Sequence, residues 1–294
     1  MVFDQRVTIT LSTPDVAALA DAVQALRSWQ HDGRPVPLHP GDLGWHRRLG
    51  AEATAAAVRV WSRDGMALAV GLLDGPGLVR LGMAPVAERD EELATRMAAD
   101  LARPERGVLP VGPAAVEVRC GAALRPLLTG AGWDDDEPWT PLRRDLARPV
   151  EPSALRVEEV GAGSASVWTA VLASAFGTTA TGDERWRTMT AGTPYPDARC
   201  LLGYDDRDVA VAAAGVWAAG SGRPGLIEPL GVHAEHRGRG HGREITIAAA
   251  AALQRLGASS AVVATPSANT GAVATYVAAG FQKLPDVRDI ARAG

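Results

Sequence analysis

One segment constrains the fold of this chain more than any other, and it runs from Gly225 to Arg243 with the sequence GLIEPLGVHAEHRGRGHGR. Its first part, Leu226 to His233, is typical of a β-strand, and the alanine-rich stretch 243–256 predicts a helix. The turn between them contains two arginines and three glycines, and a third arginine, Arg243, begins the helix. Because a strand–glycine turn–helix arrangement directs backbone N–H groups and a helix N-terminus towards an anion, the segment predicts a phosphate-binding site.

The residues of this turn are the candidate phosphate ligands. Glycine permits positive φ and a close approach of phosphate to the backbone, and arginine supplies a fixed positive fork. No Gly-Lys-Ser/Thr follows, so the turn is not a P-loop, and glycines at alternate positions do not fit the dinucleotide fingerprint. His241 is interpreted as a loop residue that faces solvent. The candidates are Arg237, Gly238, Arg239, Gly240, His241, Gly242 and Arg243.

The downstream sequence extends the pattern. Residues 259–265 form a β-branched run between a glycine and a proline, which predicts a short strand. Asn269 then opens a second helix that contains Tyr276, and Gly280-Phe281 ends it.

With loop, strand, Asn, Tyr and Gly-Phe in this order, the chain resembles the GNAT superfamily of acyl-CoA N-acyltransferases, whose pyrophosphate loop reads Arg/Gln-x-x-Gly-x-Gly/Ala. Arg237, Gly240 and Gly242 fill that pattern. The close match covers about residues 226–281 and a looser one 155–292. The resemblance implies an α/β fold with a mixed, splayed central sheet flanked by helices, and acetyl-CoA as co-substrate.

The resemblance also implies roles for single residues. Val232 and His233 would offer backbone groups to the pantetheine arm, and the Val232 N–H would face the thioester oxygen. Tyr276 would protonate the departing thiolate. Asn269 would hydrogen-bond the cofactor, cap its helix, or do both. The competing interpretations are an ordinary sheet residue for Val232 and a packed ring for Tyr276.

Glu228 is the candidate general base, acting directly or through water. It lies in an otherwise apolar strand, where a carboxylate is costly unless it is paired or functional. A structural hydrogen bond to the backbone or to an arginine is the alternative. Gly231 in the same strand predicts a bulge or a close backbone approach. Candidates for the acceptor side are Glu184, Trp168, Trp186, Trp217 and Tyr195.

The two halves of the chain align with each other. Leu81–Met83 matches Leu230–Val232 at an offset of 149 residues, and Ala131–Trp133 matches Ala279–Phe281 at an offset of 148. A nearly constant offset across separated matches predicts a tandem duplication of one fold.

The first copy is predicted to be degenerate. It carries the acidic stretch Glu88–Leu93 in place of the glycine loop and Leu128 in place of Tyr276. Arg148–Pro152 reads as a linker. The predicted domains are therefore 1–148, a degenerate GNAT-like domain, and 153–294, the catalytic domain.

Composition excludes several classes of protein. The 294 residues are 47% hydrophobic and 22% charged, with a net charge of −4 and no basic run, so no nucleic-acid surface is expected. Cys120 and Cys200 give neither a disulfide framework nor a zinc spacing, and no metal is expected. The N-terminus lacks a signal-peptide pattern, and no apolar run reaches the ~20 residues of a membrane helix. These observations favour a cytoplasmic enzyme.

Three local predictions concern the first half. Residues 31–43 read as a loop, with His31, His39 and His46 as exposed polar side chains. Ala55–Ser62 reads as a strand. The acidic run Asp134–Glu137 reads as a solvated hairpin turn rather than a metal site, because consecutive residues of a strand face opposite sides.

The sequence therefore predicts an N-acetyltransferase that transfers the acetyl group of acetyl-CoA to a primary amine of a small molecule or protein by direct attack. A CoA-binding regulatory or interaction module without turnover is the alternative. Within enzymes, a sugar–cysteine thiol-precursor acetyltransferase and an aminoglycoside-type acetyltransferase stay open. A small-molecule amine is the expected partner, no membrane contact is expected, and a homodimer is a possible assembly.

Overall fold

In the computed structural model, which describes residues 8–33, 37–179 and 182–294, helices and strands alternate along the chain. The helices are α1 (Leu19–Trp29), α2 (Pro40–His46), α3 (Ala51–Ala57), α4 (Glu91–Ala102), α5 (Leu124–Gly130), α6 (Ala165–Phe176), α7 (Glu184–Thr190), α8 (His241–Arg255) and α9 (Thr270–Ala278). The strands are β1 (Thr10–Ser12), β2 (Val58–Arg63), β3 (Met66–Leu73), β4 (Leu78–Met83), β5 (Ala114–Glu117), β6 (Asp134–Asp145), β7 (Arg156–Glu159), β8 (Ala198–Tyr204), β9 (Ala210–Ala218), β10 (Gly225–Val232), β11 (Ser260–Pro266), β12 (Gln282–Lys283) and β13 (Val287–Arg292).

The same order of elements occurs twice, as the internal alignment predicts. In each half an antiparallel meander, β2–β3–β4 or β8–β9–β10, leads through a helix into a strand parallel to the last one. A glycine with positive φ follows two residues after the end of each of α5 and α9; it is Gly132 in the first half and Gly280 in the second. The N–H groups of Trp133 and Phe281 donate to the carbonyls of Leu128 and Tyr276, each at 3.1 Å. Leu128 therefore occupies the position of Tyr276.

The two halves exchange strands within one mixed sheet. Its order across the described residues is β1-β2-β3-β4-β5-β13-β6-β11-β10-β9-β8-β7, and β12 also pairs with β6. The last strand of the chain, β13, lies beside β5, and β6 of the first half lies beside β11 of the second. The linker 148–152 contains no strand or helix, but the sheet continues across the predicted domain boundary.

The exchange also mixes the cores. Ile290 of β13 is fully buried among first-half side chains such as Trp61 and Met97, and Leu142 of β6 is buried with Ile247 and Tyr276 of the second half. Burial of large apolar side chains from both halves in each core makes the two halves one cooperative structure.

The acidic run Asp134–Glu137 is a correction to the sequence analysis. It is not a hairpin turn but the first part of the twelve-residue strand β6. Asp134 and Asp135 pair with β13, and Arg125 Nη1 binds Asp135 Oδ1 at 2.7 Å. Pairing with a strand more than 150 residues later keeps this acidic stretch extended.

The N-terminal part of the first half differs most from expectation. Residues 40–43, predicted as loop, form the first part of helix α2, and residues 55–57 end helix α3 rather than begin a strand. His39 is completely buried and His46 is only 6% exposed, so the prediction of exposed histidines was wrong for both. His39 Nδ1 accepts the Gly41 N–H at 2.9 Å as the cap of α2.

Helix α2 packs directly on the second half. A Cβ added at Gly41 would lie 2.5 Å from the Cβ of Trp217, and one added at Gly44 would lie 2.3 Å from Cζ3 of the same ring. Only glycine permits this approach. His39 Nε2 lies 3.2 Å from the Pro224 carbonyl, which adds a hydrogen bond between the halves.

Candidate functional site

The parallel strands β10 and β11 separate soon after they begin. They pair only at Gly225 with Ala261 and at Leu226 with Val262. The pairing of β10 with β9 shifts register between Ile227 and Leu230, which indicates a bulge at Glu228. The splayed cleft expected from the resemblance is therefore present, although the bulge lies upstream of Gly231.

The backbone of β10 determines which groups face this cleft. The His233 N–H donates to the Val211 carbonyl at 2.9 Å, and the His233 carbonyl accepts the His236 N–H at 2.9 Å. Both backbone groups of His233 are therefore engaged within the protein. Because alternate residues of a strand direct their N–H groups to opposite edges, the Val232 N–H points away from β9 towards the cleft. Val232 and His233 were both predicted to offer backbone groups to the pantetheine arm. Of the two, only Val232 thus directs a backbone N–H into the cleft.

The glycine loop ends in an uncapped helix N-terminus. Gly238 has φ +75° and Gly240 has φ +84°, a region that other residues rarely adopt. Gly240 is the N-cap of α8, which begins at His241, and as a glycine it has no side chain to accept a hydrogen bond from the first turn. Free N–H groups and the helix dipole at this point suit an anion.

Two further glycines allow close packing around the loop. A Cβ at Gly242 would lie 3.1 Å from Cγ2 of Thr275 in α9, and one at Gly231 would lie 2.5 Å from the Cβ of Ala175 in α6. The close backbone approach predicted at Gly231 is therefore real.

Two of the three predicted arginines hold the loop in place. Arg237 Nη2 donates to the Ala175 carbonyl at 2.6 Å, and Arg243 Nε donates to the Ala278 carbonyl at 3.0 Å. Arg243 also pairs with Glu244. These carbonyls lie at the C-termini of α6 and α9, where cations are favourable. Arg239 lies exposed between the glycines.

Asn269 and Tyr276 lie on helix α9. Asn269 is its N-cap, with Oδ1 accepting the Ala272 N–H at 3.1 Å. Tyr276 is 7% exposed, and its ring centroid lies 6.0 Å from that of Phe281. Burial, together with the charge of Glu228, raises the pKa of Tyr276 to about 12. The phenol is therefore protonated at neutral pH. Tyr276 also lies close enough to Glu228 for a charge on that carboxylate to affect its pKa.

Glu228 lies at the bulge, where its backbone is held firmly. Trp217 Nε1 donates to the Glu228 carbonyl at 2.6 Å. Its carboxylate faces the first half: Arg80 Nη1 lies 2.9 Å from Asp42 Oδ1 and 3.8 Å from Glu228 Oε1. Burial and the neighbouring Asp42 raise the pKa of Glu228 well above its usual range, with Arg80 acting in the opposite direction.

Asp42 belongs to helix α2 and was missed by the sequence analysis. Burial alone would raise its pKa, but Arg80, a hydrogen bond with Glu228 and the neighbouring His39 together outweigh burial and hold the pKa of Asp42 below its usual value. The surroundings therefore shift the pKa values of the two carboxyl groups apart, with that of Asp42 lowered and that of Glu228 raised.

Two cavities meet at Glu228. One, of about 390 Å³, is lined by residues of both halves. Trp45 and Arg48 come from the first half, and Trp168 and Trp186 come from the second. The other, about 230 Å³, lies between the halves at the start of the splay and is lined by charged side chains such as Arg80, Glu117 and Asp289. Of the residues proposed for the acceptor side, Trp168 and Trp186 line the larger cavity, and Trp217 and Tyr195 pack in the core behind them.

The first-half residues of these cavities could not be found by motif. Pro40 at the first turn of a helix with Asp42 two residues later is a helix-start signal, but Gly41 and Gly44 argue against a helix. Only the packing on Trp217 resolves that conflict.

Histidines gather where β10 meets the loop. His233, Glu235 and His236 place their ligand atoms within 4.8 Å of one another, and the ring centroids of His236 and His241 are 6.5 Å apart. Such a set is chemically compatible with a transition metal, so the expected absence of a metal stays a prediction.

Comparisons with known proteins agree with this geometry. Residues 170–281 match the acetyltransferase (GNAT) family. Three solved structures share the fold over 97% of this chain. They are a GCN5-related N-acetyltransferase from Sphaerobacter thermophilus (19% identity, TM-score 0.56, 95% of that chain), a tandem GNAT protein from the clavulanic acid biosynthesis pathway (15%, 0.57, 98%) and a GNAT-family acetyltransferase from Colwellia psychrerythraea (15%, 0.59, 98%).

Among curated protein sequences, none matches this chain. Within the described residues, no helix combines the length and the apolar character needed to cross a bilayer.

Proposed function

As this chain is a GNAT protein through its residues 170–281, built on a tandem GNAT fold, we propose that its second half transfers an acetyl group from acetyl-CoA to a primary amine by direct attack. The observation that carries the proposal is the open N-terminus of α8 at the mouth of the β10–β11 cleft. The glycine loop would bind the pyrophosphate through backbone N–H groups, and the pantetheine arm would lie along β10 beside Val232.

Glu228 would make the amine nucleophilic. An alkylamine is an ammonium ion at neutral pH and must lose a proton before it attacks the thioester carbonyl. Glu228 takes that proton in its ionised form, in which it is a stronger base than an ordinary carboxylate because burial and the neighbouring Asp42 raise its pKa. The amine nitrogen then forms a bond to the carbonyl carbon, and the oxygen becomes an oxyanion that the Val232 N–H would stabilise.

Tyr276 would assist the leaving group. When the tetrahedral intermediate collapses, the carbon–sulfur bond breaks and a thiolate departs. A phenol that stays protonated up to a pKa of about 12 can donate its proton as a hydrogen bond to that sulfur. The nitrogen gives up a second proton as the amide forms; of the two protons it has lost, one ends on the CoA thiol and the other returns to solvent, and free CoA and the amide leave the site.

The test is a panel of primary amines with acetyl-CoA, in which free thiol release is measured for the wild-type protein and for Glu228→Gln. We expect release that depends on one class of amine and is strongly reduced in the variant. Acetyl-CoA binding without release for any amine, lysine-containing peptides included, would favour the regulatory module. Sugar–cysteine precursors and aminoglycosides belong in the same panel. A cytoplasmic location and a homodimer stay predictions from the sequence.

A further inference from the structure

The 390 Å³ cavity contains two arginines that lack a carboxylate partner. Arg48 follows helix α2, and Arg185 belongs to α7. Throughout residues 8–33, 37–179 and 182–294, no carboxylate oxygen lies within 4.0 Å of either guanidinium. Arg48 Nη1 donates to the Trp45 carbonyl at 2.8 Å, which leaves most of its five N–H donors available. Arg48 is partly buried and Arg185 is exposed. A partly buried guanidinium without an ion pair is costly, so the surroundings of Arg48 suit an anion.

The charges around Arg48 support the same conclusion. Burial lowers the pKa of Arg48, Asp74 and Glu228 act in the opposite direction from a distance, and Arg185 lowers it further. The two guanidinium groups therefore repel each other across the cavity. A carboxylate between them would relieve that repulsion and could accept two N–H bonds from one arginine.

The rest of the cavity wall is largely apolar. The guanidinium carbon of Arg48 lies 4.1 Å from the ring centroid of Trp45, so stacking fixes the plane of its fork. Trp45 meets Trp168 edge to face, with centroids 6.2 Å apart. Phe176 and Met189 extend the apolar wall. This surface fits a ring or a branched alkyl group rather than a sugar.

Glu228 is the one carboxylate among the described residues that line this cavity, and its charge acts on Arg48 from beyond ion-pair distance. The cavity thus brings an acidic group near a basic one beside an apolar wall, and an α-amino acid likewise carries its amine and its carboxylate on one carbon. From this arrangement we infer that the acceptor is an amino acid with an apolar or aromatic side chain, bound with its amine at Glu228 and its carboxylate at Arg48 and Arg185. The inference rests on the proposed transfer to an amine.

The first experiment compares L-phenylalanine with 2-phenylethylamine, which has the same ring and amine but no carboxylate. We expect kcat/KM for phenylalanine to be at least ~10-fold higher, because 2-phenylethylamine cannot form the charge-assisted hydrogen bonds of a carboxylate to the two guanidinium groups. Because the two amines differ in basicity, the ratio is also measured in Arg48→Met and Arg185→Met, where it should fall to within about threefold of unity. Arg199→Met is the matched control, since Arg199 lies on β8, pairs with Glu159 and does not line the cavity.

The second experiment measures binding without turnover. Calorimetric titration of phenylalanine into the protein saturated with CoA should show binding that Arg48→Met weakens about tenfold or more and that Arg199→Met leaves unchanged. Binding of this kind without acetyl transfer would support the subsite and contradict the proposed reaction. Transfer to amines with no preference for the carboxylate, in wild type or variants, would support the reaction and overturn the subsite.

Discussion

The first turns of α4 and α8 stand at corresponding places in the two halves, yet they are completed in opposite ways. At α4, Asp90 Oδ1 accepts the Leu93 N–H at 2.9 Å, and Arg63 binds Asp90 and Glu92 at 2.7 and 3.0 Å. At α8, Gly240 offers no side chain to the helix. One terminus holds an anion supplied by the protein, and the other is open to an anion from solution.

The clefts beside these helices differ in the same sense. Strand β4 pairs with β5 over Leu78–Arg80, and the space beyond is occupied by an ion-pair network in which Glu117 Oε2 lies 3.2 Å from both Arg80 Nε and Arg119 Nη2. Arg80 also reaches Asp42 and Glu228. First-half residues such as Arg80 and Glu117 therefore form part of the wall around the cleft of the second half.

The largest expected effect concerns Tyr276, whose counterpart is Leu128. Tyr276→Phe should lower kcat by ~10²–10⁴, the usual range for loss of a general acid, with little change in acetyl-CoA affinity. Steady-state kinetics and calorimetry measure the two quantities. Leu128→Met, a substitution of similar volume at the equivalent place, should leave kcat within a few-fold of wild type. If kcat of Tyr276→Phe also stays within a few-fold, Tyr276 only packs in the core and the two positions are alike.

The next effect concerns the open helix terminus. Gly240→Asp should weaken acetyl-CoA binding by about 10³-fold, because like charges near 4 Å cost on the order of 4 kcal/mol at an effective dielectric constant of ~20. Gly240→Asn is the matched control. Asparagine has nearly the same shape and tolerates the left-handed conformation at φ +84°, so its loss should be much smaller.

Calorimetric titration distinguishes the outcomes for Gly240. Unchanged affinity in the aspartate variant would remove the loop from the phosphate site. Equal losses in the aspartate and asparagine variants would mean that backbone conformation matters there and charge does not.

Local signals explain why the second half was the more predictable one. Positive-φ glycines, a β-branched strand and the Asn cap of α9 each act within a few residues, so the order from β10 to Gly280 could be inferred directly. Asp42 was not predictable in the same way. Helix α2 contains Gly41 and Gly44, which disfavour helices, and it forms because Trp217, some 170 residues later, packs against them.

The strand exchange had no local signal at all. The alternation of β6 predicts a strand but not its neighbour, and β6 contacts β11 and β13, both from the end of the chain. The cavities shared by the two halves depend on that pairing. For this reason Trp45 and Arg48 could not be placed beside Glu228 from the sequence.

A third prediction concerns the contact that joins the halves. Burial lowers the pKa of His39 to about 4, against an ordinary value of 6.5. Neutral His39 therefore stabilises the fold fully above pH 6.5, and this contribution falls as the pH drops towards 4, because the unfolded chain binds the proton first. From pH 7 to pH 4.5 the loss is about 2 kcal/mol. His39→Asn can still cap α2 but does not titrate. Between pH 7 and pH 4.5 the free energy of unfolding, measured by urea titration, should therefore fall by about 2 kcal/mol less in this variant than in the wild-type protein. Parallel curves for the two proteins would contradict the buried neutral histidine.

The smallest effect concerns the N-terminus of α4. It tests whether a single carboxylate blocks an acetyl-CoA site in the first half or whether that site is absent. Asp90→Ala removes the cap of α4 and should lower the free energy of unfolding by about 1 kcal/mol, the usual cost of an N-cap. Acetyl-CoA stoichiometry should stay at one per chain. Glu91 and Glu92 still lie in the first turn of α4, and no glycine there makes room for a pyrophosphate.

Arg63→Gln is the matched control, since it releases the ion pairs but keeps the cap. Urea titration measures the stability and calorimetry counts the sites. A second acetyl-CoA bound by Asp90→Ala and not by Arg63→Gln would show that one carboxylate blocks an otherwise intact site.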